Sequence, residues 1–280
     1  MKIAVRPLKI IKNIIFYAVL CSIAVFSLFP IYWVINTSLK IPREFTATPP
    51  IYIPTVLTLD NYMDVIERFN ATPFLMNSAI IAFGTVIVVL LLSVPAAYAA
   101  SRYNFGGTKL RTYLMMQRML PVVVIILPMF LIFIATGLID THHGMILPYL
   151  IFQVPFAIWM LIGFFSDIPP SLQEAAMVDG CSEFKAVVKV VLPLLKPALV
   201  VVVLFVFIAV WNDFLIALTL TRRSTSTFML LVVTAMEQMP GDFFGRSSAM
   251  ASLAIIPIFV VTIVLQRHLI RGMMVGGIKE

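Results

Sequence analysis

The stretch Glu174–Pro193, EAAMVDGCSEFKAVVKVVLP, gathers charged residues, a lone glycine and a closing proline between two apolar runs. Ser171 and Glu174 have capping-box spacing, so the serine side chain would cap the backbone at Glu174 and the carboxylate would reach back to the serine N–H. Ala175 and Ala176 follow as strong helix formers that allow close approach. Gly180 comes after roughly two turns, where a residue able to adopt positive φ ends a helix. Phe184, Val187, Val188 and Val191, interleaved with Lys185 and Lys189, read as a second amphipathic piece that Pro193 stops. The chemistry offered is docking: a stiff helix–turn–helix that a partner can grip. The plainer alternative is an interfacial linker that snorkels its lysines, and these residues alone leave both open.

Three other places carry polar chemistry. Trp211-Asn212-Asp213 combines a ring that can stack on a sugar, an amide for hydroxyl groups and an acid inside an apolar run. Intramembrane acids face a bundle interior or a watery cavity, so the trio reads either as part of a translocation path or as an interhelical hydrogen bond that fixes packing. His142-His143 lacks further ligands at metal-site spacing and reads as a solvated external turn. GGTKL at 106–110 lacks the first glycine of a phosphate loop at its proper distance and the Ser/Thr after Lys109, so nothing in the chain is equipped to hydrolyse ATP. No Ser/His/Asp or Cys/His arrangement points to an enzyme. Cys21 lies in an apolar run and Cys181 in the charged stretch, which argues against a disulfide.

The elements that must position these residues are set by composition. The 280-residue chain is 61% hydrophobic and only 12% charged, where soluble domains carry about 25% charged residues. Its net charge of +7 is not gathered into one basic face but sits beside apolar runs, which is the pattern of membrane orientation rather than of nucleic-acid binding. Lys2, Arg6, Lys9 and Lys12 precede an apolar run that continues to Val34, too long for a signal core and without a small-x-small site, so it reads as a retained first span. Six stretches are long enough to cross a bilayer: 13–35, 77–100, 113–135, 144–165, 198–220 and 248–267. The expected fold is all-α, a single six-span permease-type domain over 1–280 with a cytoplasmic loop at 166–197. Pro95, Pro121, Pro128, Pro155 and Pro257 fall inside spans and predict kinks. With both termini inside, Lys2, Arg6, Lys9, Lys12, Arg102, Lys109, Arg111, Lys185, Lys189, Lys196, Arg267, Arg271 and Lys279 are cytoplasmic. Lys40, Arg43, Arg68, Arg222, Arg223 and Arg246 are then outside, and Arg118 lies near a membrane edge. That bias favours this orientation. Outside, 36–76 is a long excursion with a short helix near LDNYMDVIERF, 136–143 is short, and 221–247 is long enough to touch a partner.

Glu174-Ala175-Ala176, Gly180 and Val190-Val191-Leu192-Pro193 together resemble the EAA loop of binding-protein-dependent ABC importer permeases, with Val190 in place of the family's isoleucine. NSAIIAFGT at 77–85, WNDFL at 211–215 and QRHLIRGMMVGGIKE at 266–280 resemble the carbohydrate-uptake branch, so the likeness covers nearly the whole chain. The resemblance implies a bacterial inner-membrane, multi-pass subunit that works as a heterodimer with a second homologous permease. It also implies two copies of an ABC ATPase, which hold the ATP and Mg, an extracytoplasmic solute-binding protein and a sugar, oligosaccharide or polyol as cargo. By the same resemblance Glu174, Ala175, Ala176, Gly180, Leu192 and Pro193 couple to the ATPase, while Arg271, Gly276 and Gly277 in the tail contact it. Pro240, Gly241 and Gly245 are the corresponding candidates for entering the binding protein's cleft. This chain itself would bind no cofactor or metal. Two other classes fit less of the sequence. An ion-coupled carrier using Asp213 would carry more buried titratable groups or paired broken helices. A membrane scaffold would have no use for a rigid charged knob.

Overall fold

The computed structural model describes the backbone of residues 7–238 and 243–276 and the side chains of 12–236 and 244–267, and every regular element in it is helical. The order is α1 (Pro7–Ser38), a 3-10 turn (Pro42–Glu44), α2 (Asp60–Glu67), α3 (Ala71–Arg102), α4 (Gly107–Gln117), α5 (Val122–Thr136) and α6 (His142–Asp167). Then come α7 (Pro170–Val178), α8 (Glu183–Ala186), a π-helical turn (Val187–Val191), α9 (Leu192–Trp211), α10 (Leu215–Leu220), α11 (Phe228–Gln238) and α12 (Phe243–Gly276). The chain divides into two compact units, Met1–Asn70 with Met236–Leu253, and Ala71–Ala235 with Ala254–Glu280.

In the first unit α1 is apolar on all sides, and its most hydrophobic window has no side chain buried by the chain itself. A helix of that kind faces lipid or another subunit. Beyond it the chain folds into a polar knot. The Asn61 amide on α2 donates to the carbonyls of Ser38 (2.9 Å) and Lys40 (3.0 Å), and Ser38 Oγ meets Tyr62 OH at 2.7 Å. Buried Lys40 lies over the Trp33 ring and donates to the Ile51 carbonyl. Glu44 accepts from the Thr55 N–H (3.0 Å) and its hydroxyl, and Asp64 pairs with Arg246 at 2.7 Å. The short helix expected in this excursion is α2.

In the second unit α6 packs most extensively on α3. The face of α3 that allows this is Ser78, Ala82, Val86, Val89, Ser93, Ala97 and Ala100, all buried and mostly small at helical spacing. Small residues let membrane helices approach closely where no hydrophobic force drives them together. α9 packs against both helices and contributes Leu195 and Phe207 to the core.

The expected spans 13–35, 77–100, 144–165 and 248–267 lie within α1, α3, α6 and α12. The other two are not single helices. The span at 113–135 is interrupted, with α4 and α5 meeting at 83°. Pro121, extended at ψ 130°, caps α5 and cannot continue α4. Its neighbours identify the pair as one broken crossing rather than a re-entrant hairpin. Arg102, at the end of α3, donates to the Ile168 carbonyl at 3.0 Å and so marks the far end of α6. Asp140, just after α5, precedes the near end of α6 at His142. The segment between them travels from one end of α6 to the other. The expected span at 198–220 is corrected as well: α9 ends at Trp211 and α10 resumes at Leu215. On its other side α9 runs back without interruption to Glu183. Pro193 therefore lies within a continuous helix rather than stopping one. It occupies the first turn of α9, and the Leu192 N–H reaches back to Val187 through the wider π turn that makes room for the ring.

Candidate functional site

The charged loop forms two short helices joined at Gly180. α7 begins at Pro170, whose fixed φ suits a first helical position, and its cap residue Pro169 makes no side-chain bond. Ser171 is thus inside the first turn and the expected capping box is absent. At the other end the Gly180 N–H bonds Met177 O and the Cys181 N–H bonds Ala176 O, each at 3.0 Å, with Gly180 at φ +90°. This pair of bonds is a Schellman closure. Ser182 then caps α8 through Lys185 N at 3.5 Å. Glu174, Ala175, Gly180 and Pro193 are exposed, Ala176 and Leu192 partly so, and the Glu174 carboxylate has no hydrogen bond or ion pair among the described residues. The anticipated apolar face is corrected in part: Phe184 (77%) and Val188 (43%) are exposed, while Val191 packs inward beside Ala186; on α7, Val178 (87%) is exposed as well. The outer surface of the loop is a carboxylate set among uncovered apolar side chains.

Its inner surface is tied to α3 by residues that sequence reasoning missed. Gln173 Nε2 on α7 donates to Tyr98 OH at 2.6 Å. Tyr98 OH donates to Glu183 Oε1 at 3.3 Å, and Tyr103 OH donates to the same oxygen. The Tyr98 ring meets Tyr103 and Phe165 edge-on. Its bond to Glu183 pushes the Tyr103 hydroxyl up to about 12. Aromatics at the end of an apolar run were the available signal, since tyrosines gather at membrane boundaries.

Asp213 sits in the break between α9 and α10. Its Oδ2 accepts from Tyr149 OH (3.0 Å) and from the N–H groups of Ile216 (3.0 Å) and Ala217 (3.4 Å), which caps α10 and fastens it to α6. The packing alternative describes this carboxylate. Trp211 is likewise occupied: it is buried, donates to the Ala254 carbonyl at 3.0 Å and stacks on Phe207. Of the trio only Asn212 is exposed, with its amide on Ile208 O.

At the end of α6 away from the charged loop, Asp140 organises the segment after α10. Its carboxylate accepts from the N–H groups of Arg222 (3.1 Å), Arg223 (3.1 Å), Ser224 (2.9 Å) and Thr225 (3.0 Å) and from the Thr225 hydroxyl (2.9 Å). Burial pushes this carboxyl up, but the backbone donors outweigh it and hold it well below the usual range. Asn77 donates to Ser224 O and Ser226 O and meets His142 Nε2 at 3.0 Å. His142 is therefore built into this bonded end rather than solvated; His143 is exposed. No group of three His, Cys, Asp or Glu residues among those described could hold a metal.

Gly245 is buried, and a Cβ there would collide with Asn61 Oδ1 and the Phe45 ring. It is a close-packing position, not a free surface for a binding protein. Pro240, Gly241 and Gly277 lie outside the described residues, as does the side chain of Arg271; Gly276 ends α12.

Residues 90–275 match the model of the family described as binding-protein-dependent transport system inner membrane component. The chain is similar to the trehalose transport system permease protein SugB of Mycobacterium tuberculosis, 35% identical over 94% of this chain and 97% of that one. It is 32% identical to the sulfoquinovosyl glycerol transport system permease protein SmoH of Agrobacterium fabrum, over 90% of this chain and 89% of the relative. The fold matches a chain in the crystal structure of a bacterial ABC transporter involved in the import of the acidic polysaccharide alginate, with a TM-score of 0.76 and 23% identity over 95% of this chain and 99% of that chain.

Proposed function

This chain belongs to the family of inner membrane components of binding-protein-dependent transport systems, and from that premise we propose that it is the permease subunit of an ATP-driven importer for a sugar, oligosaccharide or polyol. The Gly180 loop would dock on the ATPase. The observation that carries the reading is the loop's two-sided construction. Its outer surface leaves Glu174, Val178 and Phe184 uncovered, while its inner surface is bonded to α3 through Gln173, Glu183 and the two tyrosines. A partner gripping the outside would move the bundle through the inside. Glu174 would pair with a basic residue in the ATPase groove, and Leu192 and Pro193 would frame the return into the membrane.

The working assembly is this chain, a second homologous permease, two ATPase copies that hold the ATP and Mg, and an external solute-binding protein. The coupling loop and both termini face the cytoplasm, and the Arg271–Gly277 tail reaches toward the ATPase. A carbohydrate cargo is supported by relatives named for trehalose and sulfoquinovosyl glycerol.

The test is co-purification. The tagged chain is extracted from its host in mild detergent and its companions are identified. A P-loop ATPase and a second permease are expected, with the ATPase lost on Gly180→Asp or Glu174→Lys while the chain stays inserted. A chain that purifies alone and transports after reconstitution without ATP would overturn the reading.

A further inference from the structure

We propose that the break between α4 and α5 lines a water-filled solute path halfway through the membrane, and that the Arg118 guanidinium faces it as a hydrogen-bond donor to the passing solute. The inference rests on the permease reading above. Arg118 Cζ lies 3.7 Å from the centroid of the Phe156 ring. Counting along α6 from His142 to Asp167, Phe156 stands about 21 Å from the first end and about 17 Å from the other, at about 1.5 Å per residue. Gln117 Nε2 donates to the Ile151 carbonyl at 3.0 Å, which holds the last turn of α4 against the same part of α6. The arginine that sequence position put near a membrane edge is therefore at mid-depth.

Lipid cannot surround it. A cation at the centre of a span is costly and marks a watery or protein-lined place, and the Arg118 guanidinium has no hydrogen bond or ion pair to another described residue, only the ring beneath it. Around it the backbone is irregular: the carbonyls of Met115, Met116 and Gln117 accept from the N–H groups of Arg118, Met119 and Leu120 in tight turn bonds, and the chain then turns extended at Pro121 before α5 begins. Irregular backbone at membrane depth persists only where protein buries it or where it lines a water-filled cavity. The chain does not bury it: Met119 is 81% exposed and Leu120 49%. Water, rather than a second protein wall, is favoured by the other interruption. Asp213, in the gap between α9 and α10, is bonded to Tyr149, two residues along α6 from Ile151. Two broken spans thus reach neighbouring turns of α6, Tyr149 lying about 10 Å nearer its first end than Phe156 at about 1.5 Å per residue, and interrupted helices are how transporters build solute sites. With one face covered by Phe156, the guanidinium keeps its N–H edge available, and it offers donors only. The solute it suits is rich in acceptor oxygens, such as a saccharide.

The test uses the assembled transporter in open membrane fragments, with Cys21 and Cys181 replaced by serine. Single cysteines are introduced by Arg118→Cys and Met119→Cys, with Lys109→Cys as the aqueous reference and Phe26→Cys, on the uncovered face of α1, as the lipid reference. The probes are two membrane-impermeant methanethiosulfonates, one cationic and one bearing a sulfonate. Both break positions should react at rates near that of Lys109→Cys and roughly a hundredfold faster than Phe26→Cys, because a charged reagent is excluded from hydrocarbon. At Met119→Cys the sulfonate should outpace the cation, and adding Arg118→Met should reverse that order. Rates at the break no faster than at Phe26→Cys would overturn the path, and an unchanged order would remove Arg118 from it. If Arg118→Cys fails to assemble, Met119→Cys carries the test. Labelling does not depend on ATPase binding, so a labelled break in a chain without an ATPase would retire the coupling reading and leave the path standing.

Discussion

Gly180 has φ +90° and nothing within 4 Å of where a Cβ would stand, so substitutions there meet no wall and are opposed only by backbone strain. Alanine should destabilise the turn by about 1–2 kcal/mol, whereas asparagine, which enters the left-handed region more readily, should cost less. The amount of ATPase retained on the purified chain should fall in the order Gly180, Gly180→Asn, Gly180→Ala; equal retention by the two variants would mean that the turn does not hold the docking geometry. Asp213 makes a different demand, since its oxygen serves a buried Tyr149 hydroxyl and two N–H groups of α10. Asp213→Asn keeps an acceptor and should preserve both uptake and thermal stability in detergent. Asp213→Ala leaves the donors unmatched and should lose roughly 1–3 kcal/mol. An asparagine variant that is fully stable yet inactive would instead assign the carboxylate a proton-carrying role. These two positions differ in how far the sequence announces them. A φ of +90° at a helix end favours glycine whatever side chains surround it, so Gly180 was legible. The depth of Arg118 depends on where Pro121 interrupts a helix and how the pieces register on α6, which no local pattern encodes.

Between α3 and the charged loop, the hydroxyl network joins two elements. Gln173 on α7 and Glu183 on α8 both bond Tyr98, so both halves of the loop are fastened to the same turn of α3. Tyr98→Phe combined with Tyr103→Phe should leave ATPase binding intact but reduce solute transported per ATP hydrolysed; an unchanged ratio would confine the network to holding the loop in place. The network also predicts a pH response. Its bond to Glu183 raises the Tyr103 hydroxyl to about 12, above the unfolded value of about 10. The contact is therefore fully present below about pH 10 and is lost as pH rises through about 12. Tyrosinate absorbance should show a component titrating near 12 that Tyr103→Phe removes. Apolar runs made most helices legible, but their joins less so. Proline was read as a terminator at Pro193, where the π turn of Val187–Val191 instead lets one helix continue from the loop into the membrane. Pro121, expected only to kink one span, instead separates two helices at 83°, because no wider turn compensates there.

Across the whole chain, the spans distribute charge by side. The bonds Arg102–Ile168 and Tyr98–Glu183 gather the loop, the end of α3 and the end of α6 at one end of the second unit. Asp140 with Arg222–Thr225 and Asn77 with His142 mark the other. Arg102, Lys109, Arg111, Lys185, Lys189 and Lys196 belong to the first end; Arg222 and Arg223 belong to the second. Short loops retain Lys and Arg on the cytoplasmic side, so the loop end should be inside. That side is the only one from which an ATPase can reach Gly180, so orientation and coupling stand or fall together. Arg223→Cys and Lys185→Cys, both at exposed positions, provide the measurement in intact cells lacking the other accessible cysteines. An impermeant thiol reagent should label Arg223→Cys and spare Lys185→Cys until the membrane is opened. The reverse pattern would place Glu174 and Gly180 outside, beyond the reach of any cytoplasmic ATPase, and the coupling loop would then have to serve an external partner.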